Sequence, residues 1–178
     1  MIFGMTILTF VHVLLSLVGI FSGLVVLFGL LTSKRLNTWN AVFLITTILT
    51  SVTGFLFPFH RFLPSHGVGI LSCVLLAIAV VARYPLRLAG AWRRTYAITA
   101  VLSLYLNVFV LVAQLYDKVP ALKAMAAASP RPFATTQLVV LAVFVVLTVL
   151  AAIKFRVTPI DGLPQAPVSA VADARRTP

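Results

Sequence analysis

Three histidines carry most of the chemistry this chain could perform. His60 and His66 lie six apart in "FPFHRFLPSHG", each shortly after a proline. His12 lies instead within the first apolar run. Two imidazoles from different elements could serve as axial ligands to haem iron. His12 with His60 or His66 would supply such a pair, walled by Phe55, Phe57, Phe59 and Phe62. A copper ion is the other metal reading, since Met5 and His12 share a helical face. The bland alternative is that interfacial histidines are ordinary and that His12 bonds a neighbouring polar group.

Polar residues in the apolar runs fall into stripes. His12, Ser16, Gly19 and Gly23 follow helical spacing on one face. Tyr96, Thr99, Ser103, Asn107 and Gln114 form a second stripe. Gln137 stands with Thr135 and Thr136 at the start of the last apolar run. His12 is roughly 10 Å along its helix and Asn107 roughly 15 Å from its outer end, so a His12–Asn107 contact is expected. Together Ser16, Asn107, Gln114 and Gln137 outline a polar pocket in one half of a bundle.

The elements that hold these residues follow from composition. Of 178 residues, 61% are hydrophobic and 10% charged. A soluble chain carries about a quarter charged residues. An integral membrane protein is the reading that remains, with the lipid bilayer as its first partner. A hydrocarbon core about 30 Å thick needs roughly 20 helical residues. Five segments meet that length, at about residues 5–31, 40–58, 67–82, 94–116 and 134–153. "VVLAVFVVLTVLAAI" does not alternate, so the spans are helices and not barrel strands. The fold class is all-α, with residues 1–156 forming a transmembrane bundle. Residues 120–127 fit a short interfacial helix or an irregular loop equally well. Ser65 is placed to cap the third span. Residues 157–178, rich in proline and small side chains, fit a disordered cytoplasmic tail.

Five spans put the termini on opposite sides. The 14 basic residues then divide four against ten. Arg61, Lys118, Lys123 and Arg131 lie on the N-terminal side; Lys34, Arg35, Arg83, Arg87, Arg93, Arg94, Lys154, Arg156, Arg175 and Arg176 lie on the other. The positive-inside rule sets the N-terminus outside and the C-terminus in the cytoplasm. The net charge of +11 thus reflects topology and anionic lipid, not nucleic acid.

Several functions are excluded by count. The acids are Asp117, Asp161 and Asp173, none well inside a span. Paired-carboxylate hydrolysis therefore lacks its residues, and no serine or cysteine triad assembles. The single cysteine, Cys73, cannot form a disulfide within the chain.

The segments "TSVTGFLFPFHRFLPSHGVGILS" (50–72), "LAGAWRRTYAITA" (88–100), "LYLNVFVLV" (104–112) and "PRPFATTQLVVL" (130–141) resemble a family of small bacterial inner-membrane proteins of unassigned function. The resemblance implies a multi-pass protein of the inner (cytoplasmic) membrane. It brings no catalytic residues with it. The leading expectation is a non-enzymatic accessory protein that binds another membrane subunit. A haem b or metal redox module is the alternative, and a small transporter the second.

Overall fold

The computed structural model describes residues 6–57 and 64–156. These residues form six α-helices, with no strand among them. They are α1 (Ile7–Leu31), α2 (Asn37–Gly54), α3 (Pro64–Arg83), α4 (Trp92–Lys118), α5 (Pro120–Ala128) and α6 (Arg131–Lys154). Residues 120–128 resolve the earlier alternative as a helix, which has proline in its first turn and no buried residue. Proline there is pre-set for helix and lacks an N–H that would go unpaired. Helix α3 begins at Pro64, so Ser65 lies inside its first turn and not at the cap position.

Four helices are long and apolar enough to cross a membrane: Ile7–Leu31, His66–Arg83, Trp92–Lys118 and Arg131–Lys154. The chain is thus a multi-pass membrane protein by the length and composition of its helices. Helix α2 falls outside this group. Its 18 residues include Asn37, Asn40, Thr46, Thr47, Thr50, Ser51 and Thr53, which dilute its apolar content.

The helices alternate in direction. Gly23 lies against Phe43, Gly19 against Thr47 and His12 against Thr53, so α1 and α2 are antiparallel. Asn37 meets Arg83, Ser51 meets Ser72, and Phe55 meets His66, so α2 and α3 are antiparallel too. Tyr96 packs on Phe155, Tyr105 on Phe144, and Tyr116 on Phe133, which fixes α6 antiparallel to α4. Helix α4 is central, touching α1, α3, α5 and α6.

Burial is uneven along the bundle. In α1 every buried residue lies from Gly19 onward. In α4 burial runs from Tyr96 to Asn107 and then stops. The close-packed half is the one nearer the basic ends of the helices. Its centre includes Phe43, Leu76, Val101 and Leu104, all nearly inaccessible. Glycine makes this closeness achievable: a methyl group at Gly23 would lie 2.6 Å from Leu104 Cδ1 and 2.9 Å from Phe43 Cε2.

Hydroxyl groups in the apolar helices are satisfied locally. Thr46 donates to Val42 O, Thr50 to Thr46 O, Thr53 to Leu49 O, and Ser103 to Thr99 O. Each is the residue four positions back. This bonding lets α2 bury hydroxyls without an exposed polar surface. Helix α2 is polar inward and apolar outward. Thr47 is fully buried, whereas Ile45 is 57% exposed, with Leu49 and Val52 exposed on the same outward stripe.

Candidate functional site: polar clusters at the two ends

His12 sits on the inward stripe of α1, half-buried. Its Nδ1 shares a hydrogen bond with Thr53 Oγ1 at 2.9 Å, tying α1 to α2. Phe57 meets the ring edge-on, with centroids 5.3 Å apart. The Thr53 hydroxyl also donates to Leu49 O, so this histidine joins a chain that ends on the α2 backbone.

Asn107 is not its partner. Asn107 Nδ2 points to Thr47 Oγ1 at 3.5 Å, the outer limit of a hydrogen bond, and lies beside Gly19. Gly19 is seven residues beyond His12, roughly 10 Å deeper in the bundle. The expected His12–Asn107 contact is therefore replaced by two separate contacts to α2, at two depths. Asn107 lies level with Gly19 and not with His12, and α2 supplies a threonine at each level.

The remaining pocket residues also separate. Ser16 is half-buried on the α1 stripe. Gln114 is exposed, two turns past the last buried residue of α4. Gln137 is buried, and its Nε2 donates to Phe109 O at 3.1 Å, while its Oε1 has no partner. Its role is to hold α6 to α4. His66 is buried in the first turn of α3 and stacks on Phe55, with centroids 6.5 Å apart. It thus folds inward over the end of α2. His60 lies outside the described residues, as does the tail. Among the described residues no group of three or more His, Cys, Asp or Glu side chains could hold a metal ion.

The denser polar constellation is at the opposite, basic end. Tyr96 is fully buried, and its hydroxyl donates to Asn40 Oδ1. Asn40 Nδ2 donates in turn to Leu36 O at 2.7 Å. The Arg83 guanidinium lies 5.2 Å from the Tyr96 ring centre, in cation–π contact. Its Nη2 donates to Asn37 Oδ1 at 2.8 Å. One arginine, one tyrosine and two asparagines from α2, α3 and α4 thus form a closed mouth below the turn joining α3 and α4. Phe155, from the end of α6, packs on the same tyrosine.

Backbone geometry builds this mouth. Arg87, Leu88 and Gly90 have φ of 48°, 60° and 52° in the turn after α3. That left-handed run lets Leu88 N donate to Ala82 O and turns its side chain into the core. Nearby, Ser33 (φ 57°) donates to Lys154 O at 2.6 Å and accepts from Arg156 N. The turn after α1 is thereby tied to the last described helix.

Sequence reading missed this cluster because Arg83 counted only as a topological charge. The available signal was Asn37 and Asn40, spaced three apart at the polar entry of α2, with Tyr96 heading the α4 stripe.

No family model, curated protein or solved structure matches this chain.

Proposed function

We propose that this chain is a non-enzymatic accessory protein of the bacterial inner membrane. It crosses five times, with its N-terminus outside and its C-terminus cytoplasmic, and presents α6 to a partner membrane protein. The observation that carries the reading is how α6 is held. Its buried residues are Gln137, Phe144 and Ala151, one every seven positions. A seven-residue repeat is a single packing seam. The rest of α6 is apolar and exposed, including Leu138, Val146 and Ile153. The polar side chains of the spans are meanwhile spent on bonds to their own helix backbone or to a neighbouring helix, which is structural work.

Counting α2 as the fifth span rests on its inverted polarity and on its antiparallel neighbours. Apolar side chains face out and hydroxyls face in, the arrangement a helix needs in lipid. Orientation rests on the four-to-ten division of basic residues.

Two experiments test this. In a Cys73→Ser background, cysteine at Lys123 should react with an impermeant maleimide in intact cells, and cysteine at Arg87 only after permeabilisation. The reverse pattern would overturn the orientation. Photo-crosslinking amino acids at Val139, Val143 and Val146 should give a discrete protein adduct in cells. Adducts with lipid alone would remove the partner-binding role.

A further inference from the structure

We propose that the groove formed by the end of α4, by α5 and by the start of α6 binds a long-chain fatty acid, its carboxylate at Arg131 and its acyl chain along Val139 and Val140. The proposal rests on the membrane reading above and goes beyond it.

The groove has a volume of about 590 Å³. Helix α6 lines it with Arg131, Thr135 and Val139, spaced four apart and therefore stacked on one helical face. Val140 lines it beside Val139, and Tyr116 from α4 and Met125 from α5 complete it. The tyrosine is fixed in place. Thr136 spends its hydroxyl hydrogen on Pro132 O at 2.9 Å, so Tyr116 donates to Thr136 Oγ1 at 3.0 Å. Phe133 meets the same ring edge-on. Met125 is exposed, and its unbranched thioether can adapt to a chain laid against it.

Polarity changes along the groove. Arg131 and Val139 are eight residues apart, roughly 12 Å along the helix. The Arg131 end is polar and the Val139 end apolar. The Thr135 hydroxyl has no partner among the described residues, and neither has the Arg131 guanidinium. Asp117 is the only acidic residue described, and it is held by Lys118 at 2.8 Å and Lys123 at 3.7 Å. An unpaired cation and an unspent hydroxyl at one end of an apolar cleft match an anionic head on a hydrocarbon chain. A carboxylate fits the planar guanidinium fork. A cleft of this size suits one small molecule. A phospholipid, with two chains and a headgroup, exceeds it, so a single-chain acid is the occupant.

The test is a titration of the whole, delipidated chain in detergent with palmitate, read by native mass spectrometry. Methyl palmitate and phosphatidylglycerol are the comparison ligands. Arg131→Gln should weaken palmitate binding about tenfold, the loss of one hydrogen bond to a charged group. Val139→Trp keeps every charge but fills the groove, and should weaken binding at least as much. Lys123→Gln removes a cation from the same end of the bundle without touching the groove lining, and should change binding less than twofold. Arg131 and Val139 are both exposed, and each variant is first shown to elute as a single species with near wild-type Tm. Arg131→Ala and Val139→Phe serve where the first choice does not fold. Equal losses for Arg131→Gln and Lys123→Gln would reduce the site to diffuse charge and overturn the proposal. So would unchanged binding by Val139→Trp, or equal binding of methyl palmitate or phosphatidylglycerol. The titration needs neither a partner protein nor a known orientation, so its failure is distinct from failure of the crosslinking and labelling experiments.

Discussion

The Tyr96 hydroxyl donates to Asn40 Oδ1 in the buried core, joining α4 to α2 directly beneath Arg83. No water-facing surface offers either group a substitute partner. The contact belongs to a chain that continues through Asn40 Nδ2 to the Leu36 carbonyl.

Tyr96→Phe and Asn40→Ala should each lower the unfolding midpoint of the purified protein in detergent. Their coupling in a double-mutant cycle should fall at about 0.6–1.7 kcal/mol, the range for hydrogen bonds between membrane helices. Strict additivity would show that the bond contributes nothing to stability.

The glycines of α1 and α2 make a contrasting pair. Gly23→Ala places a methyl 2.6 Å from Leu104 and 2.9 Å from Phe43, and should destabilise by about 1–3 kcal/mol through overpacking. Gly54→Ala meets only His12 Cε1 at 3.6 Å, an ordinary contact. It should be neutral or stabilising by up to about 1 kcal/mol, from the better helix propensity of alanine. Thermal unfolding of the two variants side by side decides the order.

His12→Ala removes the bond to Thr53. On the accessory-protein reading it should cost about 1 kcal/mol and leave the visible spectrum of the purified protein unchanged. A haem band in the wild-type sample that disappears in this variant would instead make His12 an axial ligand.

Ser33 separates backbone strain from side-chain bonding. Ser33→Gly keeps the left-handed backbone and loses both hydrogen bonds to the end of α6. Ser33→Ala loses the same bonds and keeps the strained φ, while alanine lacks the local hydrogen bonding that eases it. Alanine should therefore be the worse substitution, by up to about 1–2 kcal/mol. Faster proteolysis after Lys154 should accompany both. Equal Tm values for the two variants would show that φ at this position carries no cost.

The sequence alone determined the class of this protein and much of its layout. Runs of apolar residues near 20 long can be satisfied only as helices in lipid, and they mark α1, α3, α4 and α6 to within a few residues. Helical periodicity also identified the inward stripes, since Gly19, Gly23, Thr99, Ser103 and Asn107 are all buried. Helix starts run ahead of the apolar runs, because polar residues and proline occupy the first turns. Helix α2 starts at Asn37, ahead of the expected residue 40, and α3 at Pro64, ahead of 67. Tertiary structure decided which stripe meets which. Periodicity sets the face of a residue and its height along one axis, but not the neighbour that shares that height. His12 could thus be aligned with Asn107 on paper, although Thr53 and Thr47 of α2 answer them at separate levels. Gln114 continues the α4 stripe but emerges where the bundle opens. The basic mouth needed three helix ends from positions 37–40, 83 and 96 to meet, and only the packed bundle brings them together.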